Sequence, residues 1–152
     1  STLVQPIKKL YISRSRLSPN VRIFAQEREL ELKLMRLGWN IFHPECHNLI
    51  TQISTYEASS LICAAEGSAV HLLYGTLHKE LKKFVLLCRN TNNNFTRQLS
   101  SQQIKFECIA CLEKIKIQQG AIHSPTLDNV QLKSDFDTSE LATYIDAISL
   151  ND

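Results

Sequence analysis

The stretch Ser60-Leu61-Ile62-Cys63-Ala64-Ala65-Glu66-Gly67-Ser68-Ala69-Val70-His71 decides the fold. Residues 60–65 form a nearly unbroken apolar run, as in a strand buried on both faces. Glu66-Gly67-Ser68 interrupts that run, and residues 69–74 read as a helix. A buried strand feeding a helix through a short turn is the unit from which parallel sheets with crossover helices are built.

The flanking segments repeat that unit. Leu10-Tyr11-Ile12-Ser13 is a short β-prone run. Between residues 26 and 37, Leu30, Leu34 and Leu37 fall at i, i+4 and i+7 with charges between them, which predicts an amphipathic helix stopped by Gly38. Residues 39–42 read as a second strand closed by His43-Pro44, and Leu49, Ile53 and Tyr56 predict a helix over 48–58. Ser18-Pro19-Asn20 is a turn signal, and residues 83–88 read as a fourth strand. Asn90-Thr91-Asn92-Asn93-Asn94 is a polar loop, after which residues 103–117 fit either strand or helix. Asp137-Thr138-Ser139-Glu140 is a capping arrangement that opens a last helix with Leu141, Ile145 and Ile148 on one face. The alternation predicts one α/β domain over residues 1–152: a Rossmann-like, doubly wound, mostly parallel sheet with flanking helices and right-handed crossovers. Ligands of such sheets sit outside the carboxyl ends of the strands, here residues 13–16, 43–48, 66–69 and 89–94.

Composition narrows the function classes. The chain has 152 residues, 43% apolar and 21% charged, which is an ordinary folded composition with room for one core but not for two packed α/β domains. Seventeen basic against fifteen acidic residues give a net charge of +2, and the basic groups are scattered apart from Arg14, Arg16 and Arg22. That is not the basic stripe of a nucleic-acid binder. Five cysteines, an odd number set largely in apolar runs, suit free thiols in a reducing compartment, so the expected location is cytoplasmic. No run of about 18 apolar residues predicts a membrane span, and no signal peptide is visible. The first residue is Ser1 rather than Met, as expected of a cropped or processed piece.

Three constellations carry possible chemistry. At Glu66-Gly67-Ser68-Ala69 the strand ends, glycine permits close backbone approach, and a helix begins. Free N–H groups of Gly67, Ser68 and Ala69 at that helix start would cradle a pyrophosphate, with Glu66 placed to accept hydrogen bonds from ribose hydroxyls. The plain structural alternative is a helix N-cap by Ser68 with an acidic neighbour favouring the dipole. Arg14 ends the first strand at the same edge and, like Arg22, offers bidentate contact to phosphate; the alternative is solvated surface arginine. Glu27, near a helix start, either favours the dipole or orients Arg14 or Arg22.

The cysteines and histidines invite other readings. His43, Cys46 and His47 form H-x-x-C-H and Cys108-x-x-Cys111 is a second pair, but more ligands at matching spacing would be needed, so no metal is expected. A small redox or metal domain built on Cys108 and Cys111 is the weakest of the functional readings. No G-x-S-x-G elbow, Walker loop or G-x-G-x-x-G is present, which argues against a serine hydrolase, a P-loop NTPase and a standard dinucleotide oxidoreductase.

Taken in order, Tyr11-Ile12-Ser13-Arg14, Arg22-Ile23, Gln26-Glu27-Arg28-Glu29-Leu30, Leu37-Gly38-Trp39, Pro44-Glu45, Gln52-Ile53 and Glu66-Gly67-Ser68-Ala69 resemble glycosyltransferase family 61 over roughly residues 9–75. That family includes capsular-polysaccharide-type transferases and protein and xylan transferases. Val21 stands where a first Arg is common in its pattern, and Gln26 replaces an Asn. The resemblance implies the C-terminal, nucleotide-sugar-binding half of a GT-B type transferase, inverting and independent of metal. The donor would be a substrate rather than a cofactor. Arg14, Arg22, Glu27, Glu66, Gly67, Ser68 and Ala69 would hold it, and a glycan or protein would accept the sugar. The catalytic base would lie in an N-terminal GT-B domain or a partner chain, so the isolated domain is not expected to turn over. The alternative class is a non-catalytic Rossmann-like interaction or nucleotide-binding module.

Overall fold

A computed structural model describes residues 5–17, 23–66, 81–91, 94–115 and 129–151. The turn at Ser18-Pro19-Asn20, Arg22, the Gly67-Ser68-Ala69 turn and the helix expected over 69–74 lie outside the described residues. The described elements run β1 (Ile7–Ile12), β2 (Ile23–Phe24), α1 (Glu27–Arg36), β3 (Asn40–Phe42), a 3-10 turn (Pro44–Cys46), α2 (Leu49–Glu57), β4 (Ser59–Ala65), β5 (Lys83–Leu87), α3 (Asn94–Ser101), β6 (Phe106–Ile109), β7 (Leu112–Lys114), β8 (Asn129–Leu132) and α4 (Thr138–Leu150).

Five strands form one sheet in the order β3-β1-β4-β5-β6, and every pair in it is parallel. Numbered within that sheet alone, the order is the 2-1-3-4-5 of the flavodoxin-like doubly wound folds, whose strand order reverses between the first and third strands. The α/β, Rossmann-like expectation holds. β1 and β4 flank that switch point, with Tyr11 opposite Cys63 and Ile12 opposite Ala64. A smaller three-stranded sheet, β2-β8-β7, pairs β2 parallel and β7 antiparallel to β8.

Side-chain alternation along the strands divides the core in two. Tyr11, Leu61, Cys63, Val85 and Leu87 point to the face covered by Leu30 and Leu34 of α1, Leu141 and Ile145 of α4, and Val130 of the small sheet. Leu10, Ile12, Ile62, Ala64, Phe84 and Leu86 point the other way, against Tyr56 of α2 and Leu99 of α3. A strand buried on both faces reads as a continuous apolar run, and β4 from Leu61 and β5 from Phe84 do.

Helix boundaries follow local chemistry. Gly38 has φ +89°, and Gly38 N–H donates to the Met35 carbonyl at 3.0 Å while Trp39 N–H reaches that of Leu34 at 3.1 Å. This Schellman pairing ends α1 and turns the chain into β3. Asn48 caps α2 by accepting from Thr51 N–H at 2.8 Å, and Asp137 caps α4 by accepting from Glu140 N–H at 2.8 Å. The ambiguous segment after the Asn tract resolves into two strands, β6 and β7. The tract itself is not all loop, because α3 begins at Asn94.

Candidate functional site

The site grows from the ends of β1, β4 and β5. Arg14 follows β1 and is only 7% exposed, and its Nη1 donates to the Glu66 carbonyl at 2.8 Å. Glu66 follows β4, and its own N–H donates to the Leu87 carbonyl at the end of β5 at 2.8 Å. Two residues on, Arg89 donates both its backbone N–H and its Nε to Glu66 Oε1, each at 3.1 Å. Lys133 Nζ reaches the Arg89 carbonyl at 3.3 Å. Parallel register therefore brings Arg14, Glu66 and Arg89 together at one sheet edge from three different strands. Oε2 of Glu66 has no partner among the described residues.

Glu27 lies beneath this cluster. It opens α1 and is 1% exposed, accepting from Tyr11 Oη at 2.7 Å on one oxygen and from Arg14 N–H at 3.1 Å on the other. Burial pushes its carboxyl up to about 7, against the opposing pull of the Tyr11 hydrogen bond and the Arg14 charge. The same burial, with Glu27 beside it, raises the Tyr11 phenol. Of the residues foreseen for this site, the structure brings Arg14, Glu27 and Glu66 into one network. Glu27 touches Arg14 through the main chain, so it fixes where β1 ends. Arg22, Gly67, Ser68 and Ala69 lie outside the described residues.

Arg89 and Tyr11 were not singled out for chemistry. The segment 89–94 was marked by the strand-end rule, but nothing local pairs Arg89 with a residue 23 positions earlier. Tyr11 carries a phenol in an otherwise apolar run, and a buried phenol needs an acceptor, which was the one available signal.

The histidine and cysteine motifs resolve into packing. His47 stacks on Phe42 with ring centroids 4.8 Å apart, Cys46 is exposed near Arg16, and His43 Nε2 lies 3.5 Å from Glu31 Oε1. Burial lowers the His43 imidazole, opposed by the Glu31 charge. Cys111 packs in the core on the α1–α4 face whereas Cys108 packs on the other, so the two thiols of the C-x-x-C pair are separated by the sheet. Cys108 pairs instead with Cys88 on β5's trailing edge; their hydrogen bond raises Cys88 and lowers Cys108. Among the described residues no group of three His, Cys, Asp or Glu side chains could hold a metal ion, and no helix is long and apolar enough to cross a membrane.

The family model described as Glycosyltransferase 61 matches residues 2–75. That segment carries β1 through β4 and both Arg14 and Glu66, and the match bears out the resemblance drawn from the ordered motifs. No curated protein matches the chain.

Proposed function

We propose, taking the glycosyltransferase 61 family as premise, that this chain binds the nucleotide-sugar donor of a glycosyl transfer and needs a second domain or partner chain to supply the acceptor and the catalytic base. The observation that carries the reading is the convergence of Arg14, Glu66 and Arg89 at the switch point, where doubly wound sheets bind their ligands. Departure of a nucleoside diphosphate develops negative charge on the phosphates. Arg14, with Arg22, offsets it, and Gly67, Ser68 and Ala69 offer N–H groups next to Glu66 in sequence. In this reading guanidinium and amide donors do what a metal ion does elsewhere, and the inverting course of the transfer is taken from the family resemblance. Glu66 uses one oxygen on Arg89 and keeps the other for a ribose hydroxyl.

A non-catalytic module is the competing reading. It draws on the same ion pair, with Glu66 spent on clamping β4 to β5 through Arg89. Titration calorimetry with nucleoside diphosphates separates the two. Wild-type protein should bind, and Glu66→Ala should weaken binding by about 10- to 100-fold, the worth of one or two charge-assisted hydrogen bonds. Equal affinity in Glu66→Ala assigns Glu66 to the clamp, and no binding to the wild type assigns the whole chain to the interaction module.

A further inference from the structure

A small pocket of about 170 Å³ opens at the amino edge of the large sheet, the end opposite the cluster of Arg14, Glu66 and Arg89. The seven residues of β4 separate the two, roughly 20 Å at the usual rise per strand residue. The charged groups that line the pocket are four lysines, Lys8, Lys82, Lys83 and Lys105, with no carboxylate among them. They come from the starts of three strands. Lys8 lies in β1, Lys82 and Lys83 meet at the opening of β5, and Lys105 directly precedes β6. Parallel register levels them: Lys9 pairs with Leu61, Leu61 with Lys83, and Phe84 with Phe106. Lys8, Ser60 and Lys82 therefore stand at one height, and Lys105 stands beside Lys83. Adjacent strands are about 4.8 Å apart, and long lysine stems bring the ammonium groups to one opening.

The four lysines have different duties. Lys83 is nearly buried and donates to the Ile148 and Asn151 carbonyls at the end of α4. Those carbonyls and the helix dipole would repel an anion, and the Lys83 charge offsets them. Lys8, Lys82 and Lys105 are exposed, and their ammonium groups have no hydrogen-bond or ion-pair partner among the described residues. The Ser60 hydroxyl has none there either, whereas Ser149 spends its proton on the Ile145 carbonyl. Three like charges around one opening repel one another, and a multiply charged anion between them turns that repulsion into attraction. The pocket is smaller than sites for drug-sized ligands, so it admits a compact anionic group rather than a nucleoside. Lysine acts on phosphate as a point charge, and a phosphomonoester brings up to two negative charges where a carboxylate brings one.

We propose that the amino edge carries a second anion site, for a phosphomonoester group, either free phosphate or the headgroup of a lipid such as phosphatidic acid. Lys8, Lys82 and Lys105 hold its charge, and the Ser60 hydroxyl donates to it. The inference is independent of the donor-binding reading. The two sites share no residue, and this one stands whether or not the chain binds a nucleotide.

The test uses the whole chain and two probes, inorganic phosphate and phosphatidylcholine vesicles that contain phosphatidic acid. Lysine acetylation read by mass spectrometry locates the first. Against chloride at equal ionic strength, phosphate should slow acetylation of Lys8, Lys82 and Lys105 by about threefold or more and leave Lys114 on β7 unchanged. Co-sedimentation reads the second, with phosphatidylserine vesicles as the comparison. Lys82→Gln combined with Lys105→Gln should abolish protection of Lys8 and weaken vesicle binding by about 30-fold, roughly fivefold per lysine. Both side chains are exposed, so the variant should melt as the wild type does. Glu66→Ala should change neither readout. Protection without sedimentation names free phosphate as the source, and sedimentation on phosphatidic acid above that on phosphatidylserine names the lipid. Lys8 equally reactive in phosphate and chloride, with equal sedimentation on both vesicles, overturns the site. Protection or sedimentation that survives the double variant, or that is lost in Glu66→Ala, overturns it as well.

Discussion

Two nearly buried cations at opposite edges of one sheet serve different ends. Lys83, 4% exposed, opens β5 at the amino edge and donates to the Ile148 and Asn151 carbonyls at 2.6 and 2.8 Å. Those oxygens belong to the end of α4, where a helix leaves carbonyls unpaired and its dipole favours positive charge. Arg14, 7% exposed, ends β1 at the carboxyl edge and lies among ionisable side chains: Glu27 through its own main chain, then Glu66 and, beyond it, Arg89. At the amino edge the charge closes a backbone and is complete within the fold. At the carboxyl edge one carboxyl is pushed up to about 7, and Glu66 Oε2 has no partner among the described residues.

The largest expected effect breaks the amino-edge member of this pair. Lys83→Ala strips the donor from two carbonyls and removes a buried aliphatic stem. The loss should be about 3–4 kcal/mol, in the range for leaving buried polar groups unmet. Urea denaturation should show it as a lowered midpoint, while nucleotide affinity of the folded fraction stays at the wild-type value. An equal loss of affinity would show that the two edges are not separable.

The same contrast explains what could be read from the residues. α1 was legible because Leu30 and Leu34 sit one turn apart and Gly38 supplies the positive φ its end requires. α4 was legible from the Asp137 cap. α3 was not, because its apolar anchors reduce to Phe95 and Leu99 and it begins inside an Asn tract that favours turns. β2 and β8 were not, because a two-residue strand is held by partners more than a hundred positions away, Ile23 with Asn129 and Phe24 with Val130. Gln26 adds to that tie by accepting from Leu132 N–H at 2.9 Å, a contact no local pattern announces. Arg14 and Glu66 stood out because they terminate strands at the switch point. Arg89 depended on register between neighbouring strands, which one-dimensional spacing does not contain.

The next effect acts at the carboxyl edge and is read through pH. Glu27 is held near 7 in the folded chain against 4.5 in its ordinary state, so between those values the folded form binds more protons than the unfolded one. Stability from this group is present in full below about 4.5 and is lost as pH rises through about 7. The swing should be at most about 3.5 kcal/mol, from roughly 1.4 kcal/mol per pKa unit. Thermal melts from pH 4.5 to 8 should show a component of this sign in the wild type, and Glu27→Gln should remove it. A Glu27→Gln profile parallel to the wild type would place the titration elsewhere. Glu27→Ala should cost about 2 kcal/mol at pH 8, because Tyr11 Oη and Arg14 N–H both lose their acceptor.

The smallest effect tests whether the complete charges of the α4 side depend on charge at all. Asp146 Oδ1 accepts from Lys9 Nζ at 2.8 Å and from Trp39 Nε1 at 2.9 Å, and Lys9 also donates to the Leu37 carbonyl at 2.8 Å. One carboxylate oxygen thus ties β1, the end of α1 and α4 together. Asp146→Asn keeps an oxygen for Trp39 and loses only the ionic part of the Lys9 contact. Both side chains of that pair are partly solvated, so the loss should be about 1 kcal/mol or less. Asp146→Ala removes both bonds and leaves the indole N–H unmet, for about 2 kcal/mol. A loss in Asn as large as that in Ala would mean that the charge, not the hydrogen bonding, holds this side together. The distinction between a saturated edge and a poised one would then have to be redrawn in terms of charge.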